Sequence, residues 1–148
     1  MTALRIVPLA LVLALTACSG SGSGLGNIFG GNPSSNYCQP GTQVQLVNPA
    51  PFQLSSNVNQ ITIVANGDTD NIHPNPQNWS IILQGNFGTI NGGDLVATDG
   101  RALPHPFTSD FYYQSQLGQT LPAGMTWAVS LQQNNSNCTP VPLQSFST

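Results

Sequence analysis

Beyond residue 37, the chain consists of short segments in which hydrophobic and polar residues alternate, separated by residues that favour turns. The clearest example is residues 125–133, MTWAVSLQQ, where Trp127, Val129 and Leu131 fall on one side. Alternation with a period of two predicts a β-strand that buries one face. Similar segments cover residues 42–48, 60–66, 78–86, 87–90, 94–98, 110–117 and 141–148. Their spacing of about ten to fifteen residues, without a helical period, predicts an all-β chain folded as an antiparallel β-sandwich of about seven strands.

One turn signal stands out between two of these segments. Asn91-Gly92-Gly93 separates residues 87–90 from residues 94–98. Asparagine followed by glycine is the strongest short-range signal for a tight turn, because both residues adopt backbone conformations that most side chains disfavour. The sequence therefore predicts that this tripeptide joins two antiparallel strands.

Charged side chains are scarce, which excludes several classes of function. The chain has no lysine and no glutamate, and its basic residues are Arg5 and Arg101. Nucleic-acid binding and a polybasic membrane patch both require clustered basic residues, so both are excluded. Most polar residues are the uncharged Asn, Gln, Ser and Thr, and the chain also contains 12 prolines and 15 glycines. This composition favours strands and turns over helices.

The first 17 residues have the layout of an export signal. Arg5 gives a short positive region, and residues 6–15, IVPLALVLAL, form an apolar run that is too short to span a bilayer. The tetrapeptide LTAC follows and ends at Cys18. It resembles the lipobox of bacterial lipoproteins, which implies a signal peptide at 1–17, diacylglycerol on the Cys18 sulfur and an acylated amine. An ordinary signal peptide with a chance cysteine is the alternative.

Residues 18–36 are expected to be the lipidated cysteine and a tether rich in glycine and serine, and residues 37–148 the folded domain. Two or three acyl chains hold a protein on a membrane essentially permanently. The lipobox resemblance therefore implies a lipid-anchored protein of the bacterial cell envelope. Ser19 after the lipidated cysteine implies, by similarity to lipoprotein sorting in bacteria with two membranes, the outer membrane or the cell surface.

The domain also resembles a known family over residues 43–148. The matching elements are NPAP after the first strand, LPAGMT at the entry to the longest strand and FST at the end. They are similar to the Ig-like domains of bacterial S-layer and surface proteins, including the SbsA-type modules. The resemblance implies an Ig-like, fibronectin III-like β-sandwich that serves as a scaffold or a binding surface.

Trp127 departs from the pattern of that family. The family usually has a tyrosine here, whose hydroxyl bonds to upstream backbone as a tyrosine corner. Because the indole N–H of tryptophan is only a donor, we expect the corner hydrogen bond to differ or to be missing.

The three cysteines divide into one anchor and one pair. If Cys18 carries lipid, Cys38 and Cys138 remain, one before the first strand and one after the strand at 125–133. An exported protein folds in an oxidising compartment, so we expect a disulfide between them. A reactive thiol or a metal pair is the alternative, and no helper residues are near in the sequence.

Two groups of loop residues are candidates for a metal site. Asp68 and Asp70 lie in NGDTDN, a glycine-containing segment rich in oxygen-bearing side chains, as in calcium-binding loops. It lacks the distal glutamate of an EF-hand. A turn is the alternative. His73 and His105 are the only histidines and each precedes a proline. They could meet to bind a metal such as copper, or serve as a base, or simply lie exposed on loops.

No catalytic constellation is evident, and we expect neither enzymatic activity nor a cofactor. There is no G-x-S-x-G motif. Asp99 and Asp110 could form a carboxylate pair, but a surface salt bridge of either one with Arg101 is the default explanation. Tyr112 is expected on the face opposite Tyr113, where an exposed ring would be able to stack on a sugar or a peptide.

These observations predict a non-catalytic lipoprotein of the cell envelope whose Ig-like domain is structural, adhesive or a protein-interaction module. A carbohydrate- or peptide-binding module that uses the Asn/Gln-rich loops and Tyr112 is one alternative. A periplasmic protein that binds calcium or copper through Asp68, Asp70, His73 and His105 is the other. The predicted partners are a membrane, through the lipid, and an unidentified envelope protein or glycan.

Overall fold

The structure is a computed structural model, and it describes residues 36–67 and 71–148. Eight strands are present in these residues: β1 Val44–Asn48, β2 Gln60–Asn66, β3 Trp79–Gly85, β4 Gly88–Asp94, β5 Val96–Thr98, β6 Asp110–Gln116, β7 Thr126–Gln133 and β8 Val141–Ser147. They form two antiparallel four-stranded sheets, ordered β1-β2-β6-β5 and β4-β3-β7-β8. The predicted all-β sandwich is confirmed. Within the described ranges, no helix is long and apolar enough to cross a membrane.

The core lies between the two sheets and is built by the alternation seen in the sequence. In β7, Trp127, Val129 and Leu131 are buried, while the residues between them are exposed or half-buried. In β3, Ile81 and Leu83 are fully buried and pack in the same core cluster. Because each buried aliphatic side chain contributes about 1.5–3 kcal/mol, the inner faces of the two sheets supply the main stabilisation of the fold.

The predicted turn at Asn91-Gly92-Gly93 is wrong, because these residues lie inside strand β4. The chain reverses earlier, between Gly85 and Gly88, which pair across a two-residue turn. Glycine is required in β4 for close approach to β6: a Cβ atom on Gly92 would overlap the Ser115 hydroxyl. That hydroxyl donates a hydrogen bond to the oxygen of Gly93 over 2.6 Å. Glycine therefore serves packing here, not chain reversal.

The predicted disulfide between Cys38 and Cys138 is confirmed. Their Cα atoms lie 4.9 Å apart across a sequence separation of 100 residues. Beside it, the backbone N–H of Cys38 donates to the oxygen of Thr139, and Tyr37 forms an isolated bridge with Thr139. The disulfide thus fastens the start of the described chain to the connection between β7 and β8.

The outer faces of the two sheets differ. On the β1-β2-β6-β5 sheet, the loop between β5 and β6 folds over the outer face, and its residues Leu103 and Phe107 pack on Val47, Val64 and Tyr112. Strand β2 is therefore buried on both sides along most of its length. The outer face of the β4-β3-β7-β8 sheet forms a groove that is open to solvent.

The hydrogen bond of Trp127 differs from that of a tyrosine corner, as predicted. Its indole N–H donates to the Thr148 hydroxyl over 3.3 Å, and that hydroxyl in turn bonds the oxygen of Pro122 over 2.5 Å. The bond therefore joins β7 to the segment after β8 through a side chain rather than through upstream backbone.

Candidate functional site

Six of the residues singled out in the sequence line one groove. His73, His105 and Tyr112 line a groove of about 290 Å³ beside β5 and β6, which we call the histidine groove. Asp99, Arg101 and Asp110 line it as well. Cys18, Asp68 and Asp70 lie outside the described residues, so the lipidation and calcium-loop hypotheses stay predictions.

Tyr112 is buried, so the prediction that its ring is exposed is wrong. Only 6 % of the residue is accessible to solvent. The alternation of β6 correctly predicts that Tyr112 points away from the central core. The outer face of this sheet, however, is covered by the loop that carries Leu103 and Phe107. A Cβ atom on Gly100 would overlap the ring, which shows how tightly this loop covers it. The Tyr112 ring is therefore not available for stacking on a ligand.

A hydrogen-bond network joins His105, Asp110 and Tyr112 inside the histidine groove. His105 Nδ1 lies 2.9 Å from Asp110 Oδ2 and 2.9 Å from the Tyr112 hydroxyl. The Tyr112 hydroxyl donates to the oxygen of Pro104 over 2.7 Å, and Asp110 Oδ1 accepts the backbone N–H of Phe107 over 3.1 Å. The Asp110 side chain is 7 % exposed and that of His105 is 56 % exposed. The network thus binds both halves of the loop to the start of β6.

The electrostatic setting keeps the Tyr112 hydroxyl neutral. Burial raises the pKa of this hydroxyl above its usual value of about 10, and the nearby Asp110 carboxylate raises it further through its charge and a hydrogen bond. A phenol with a raised pKa is a weak acid and does not form a nucleophilic phenolate near neutral pH. Tyr112 therefore acts here as a hydrogen-bond donor to Pro104.

A histidine oriented by a buried carboxylate is one half of a nucleophile-activating pair, because the carboxylate holds the ring and stabilises its charged form. The other half is a hydroxyl or thiol within hydrogen-bond reach of the histidine. Within residues 36–67 and 71–148, no serine, threonine or cysteine bonds to His105, and the Tyr112 hydroxyl is committed to Pro104. The bonds that this arrangement does make hold the loop against the start of β6.

The remaining side chains of the histidine groove make contacts within the protein. His73 is exposed and packs edge-on against Phe111, with ring centroids 4.6 Å apart. Across the described ranges, no group of three or more His, Cys, Asp or Glu side chains is placed to hold a metal ion. Arg101 pairs with Asp99 at 3.7 Å, and both side chains are largely exposed, so this ion pair contributes about 0–1 kcal/mol.

A second groove, which sequence reasoning did not locate, lies on the outer face of the β4-β3-β7-β8 sheet. It has a volume of about 820 Å³, and we call it the amide groove. Asp94 is its only charged lining residue, and Ile82, Gly92 and Cys138 are its non-polar ones. All other lining residues carry a neutral amide or hydroxyl: Gln77, Ser80, Asn91, Gln132, Gln133, Asn134, Asn135, Ser136 and Asn137. The signal in the sequence was the set of uncharged polar residues at outward positions of β3 and β7, continued by residues 134–137.

Asn134 organises the centre of the amide groove. Its amide nitrogen donates to Asp94 Oδ1 over 3.0 Å and to the oxygen of Gln77 over 3.1 Å, while its amide oxygen accepts the Ser80 hydroxyl over 2.8 Å. By contrast, Asp94 Oδ2 and the Asn91 side chain make no hydrogen bond to another described residue. The groove therefore combines a fixed polar floor with hydrogen-bonding groups that are free to meet a ligand.

Comparison of the chain with protein-family models, curated proteins and solved structures finds no match. The resemblances to bacterial lipoproteins and to Ig-like domains therefore stay predictions.

Proposed function

We propose that this chain is a non-catalytic adhesion module of the bacterial cell envelope, held on a membrane by lipid at Cys18, which binds neutral glycans in the amide groove. The lining of that groove is the observation that carries the proposal: nine residues with a neutral amide or hydroxyl side chain and one carboxylate face a single open depression. The lipobox resemblance and the composition of residues 18–36, rich in glycine and serine, support the location on the envelope.

The chemistry of the groove matches a ligand that carries many hydroxyl groups. A sugar hydroxyl donates one hydrogen bond and accepts others, and a side-chain amide supplies both a donor and an acceptor within one group. Asn91 and Asp94 have unused hydrogen-bonding capacity, and Ile82 adds an apolar contact surface for the carbon skeleton. A site built to hydrogen-bond a hydroxyl discriminates strongly against ligands that lack it, since its polar groups are then left unpaired.

The charge of the groove favours neutral over acidic glycans. Its only ionisable lining side chain is Asp94, and no lysine, arginine or histidine lines it. An anionic sugar would meet a carboxylate of like charge without a compensating cation, which costs binding energy.

The hydrogen bonds of the histidine groove support a non-catalytic role. There His105 and Asp110 bond to each other, and the pair bonds to the loop and to Tyr112.

A glycan array probed with the full-length chain tests this proposal. We expect binding to be confined to neutral glycans, with sialylated or sulfated forms of the same glycans binding at least tenfold less. Uniform lack of binding, or a preference for acidic glycans, would contradict the proposal.

A further inference from the structure

Two of the four edge strands of the sandwich carry clear protection against pairing with another chain. The sheet order leaves β1, β5, β4 and β8 at the edges. On β8, the segment after β1 covers the edge: the N–H of Phe52 donates to Ser145 and that of Ser55 to Ser147, both over 2.8 Å. On β1, the Gln144 side chain accepts the N–H of Leu46 over 2.7 Å, and a bulge follows. Such devices block the addition of a further strand.

The first half of the β4 edge, residues 88–91, lacks these devices, and the register shift of the β3–β4 pairing comes only after Asn91. Gly85 and Gly88 face each other as the closing pair of the β3–β4 hairpin, so their backbone groups point at one another. Because backbone groups alternate along a strand, Thr89 and Asn91 direct their N–H and C=O groups away from β3. In the part of the chain that the structure describes, neither backbone takes part in a hydrogen bond outside the strand ladders. β5, the remaining edge, is only three residues long.

The sequence of β4 does not discourage pairing either. Residues 88–93 contain no charge and no proline, the two features that most often protect an edge strand. Thr89 and Asn91 are exposed, and the Phe87 side chain before them is 90 % exposed. At the far end of the strand, the Gly93 oxygen is taken by Ser115, which limits the open edge to the first half of β4.

We propose that this open edge pairs antiparallel with β4 of a second copy of the chain, about a twofold axis at Ile90. In that register, Thr89 faces Asn91 of the second copy, and Asn91 faces its Thr89. The backbone N–H and C=O groups of both residues point away from β3 and toward the second copy. Each facing pair therefore exchanges two backbone hydrogen bonds, and the interface has four in total. The two Ile90 residues face each other at the axis.

The edge suits a second copy because it is complementary to itself. Thr89 and Asn91, whose backbone groups point away from β3, lie symmetrically about Ile90. An isologous interface requires such symmetry. The copies bring no like charges together, although each described domain has more aspartate than arginine. The nearest charged residue of the strand is Asp94, and the two Asp94 residues would lie about 27 Å apart, well beyond the screening length of about 8 Å.

The pairing would join the β4-β3-β7-β8 sheets of the two copies into one continuous sheet of eight strands. Asn91 lines the amide groove and also lies on the pairing edge, so the two amide grooves would become neighbours on that face. An interface made of one strand edge is small, so the dimer should be weak in dilute solution and favoured where copies are crowded. The pairing does not depend on glycan binding, and its test uses no ligand.

Cysteine cross-linking in cells tests the proposal. Two differently tagged full-length copies, one with Thr89→Cys and the other with Asn91→Cys, are co-expressed and oxidised mildly. The facing Cα atoms would be about 5.5 Å apart, within the range of a disulfide. We expect a disulfide-linked dimer of the two tags, at least fivefold more abundant than the dimers formed by either variant alone. Both substituted residues are exposed, so the fold should be retained.

The matched control pairs the Asn91→Cys copy with a Thr126→Cys copy, because Thr126 is also an exposed threonine but lies on β7. This pair should give no dimer above background. Equal yields for all pairings, or no dimer from the Thr89/Asn91 pair in cells where both copies keep the Cys38–Cys138 disulfide, would overturn the proposal. A disulfide-linked product of Asn91→Cys with a mass other than that of the dimer would show that a different protein pairs with this edge. That result would overturn the proposal as well.

Discussion

The Tyr112 hydroxyl donates a hydrogen bond to the backbone oxygen of Pro104, eight residues earlier and 2.7 Å away. This bond closes the loop between β5 and β6 over the outer face of its sheet, where Leu103 and Phe107 pack beside the Tyr112 ring. One outer face of the sandwich is therefore covered by this loop, whereas the opposite face, with the amide groove, is open to solvent.

Replacement of Tyr112 by phenylalanine should lower the free energy of unfolding by about 1 kcal/mol, since the ring packing is kept but the bond to Pro104 is lost. Denaturant unfolding at neutral pH measures this change. Tyr37→Phe is the control, because Tyr37 is 46 % exposed, and it should have little effect. Equal stability of Tyr112→Phe and wild type would mean that the hydrogen bond contributes nothing.

The raised pKa of Tyr112 predicts a loss of stability in alkali. The pKa of the hydroxyl is higher in the folded than in the unfolded chain, so its contribution is complete below pH 10 and is lost as the pH rises through the folded pKa. The free energy of unfolding of the wild type should therefore fall more steeply above pH 10 than that of Tyr112→Phe. Parallel pH profiles of the two proteins would contradict this prediction.

Removal of the Cys38–Cys138 disulfide should destabilise the domain strongly. In the chain-entropy model, a cross-link that closes a loop of about 100 residues contributes about 4.7 kcal/mol. Cys38→Ser should lower the melting temperature of the oxidised protein by at least several degrees. Reduction of the wild type should give the same shift, and a Cys38→Ser protein as stable as the oxidised wild type would contradict the prediction.

The lipid anchor is tested by Cys18→Ser. If Cys18 carries lipid, this change should move the protein from the membrane fraction to the soluble fraction, because acyl chains would provide the membrane affinity. Its melting temperature should not change, since the core of the described domain is built from Cys38 and later residues. Unchanged association with the membrane would contradict the lipoprotein prediction.

The strands were predictable because their signal is local. In β7 and β3, burial alternates with the sequence, and the disulfide followed from the cysteine count once Cys18 was assigned to the lipid. Local patterns failed where distant residues decide the outcome. The glycines at 92 and 93 read as a turn, yet the constraint on them is the approach of Ser115 from another sheet.

The candidate sites were less predictable for the same reason. The alternation predicts that Tyr112 lies on the outer side of β6, but it does not show that the loop with Gly100, Leu103 and Phe107 covers the ring. The amide groove assembles residues from β3, β4 and β7, whose pairing no single segment encodes. Neutral amides also carry no distinctive motif, so their convergence is visible only in the folded chain.

The most direct test of the account is the affinity of the full-length chain for a neutral glycan selected on the array, measured with single substitutions. Asn91→Ala removes an uncommitted amide from the amide groove, whereas Gln119→Ala removes an exposed amide from the loop between β6 and β7. We expect Asn91→Ala to weaken binding at least fivefold, the effect of losing about 1 kcal/mol. Gln119→Ala should bind like the wild type. Equal affinities of Asn91→Ala and wild type would contradict the assignment of the amide groove as the binding site.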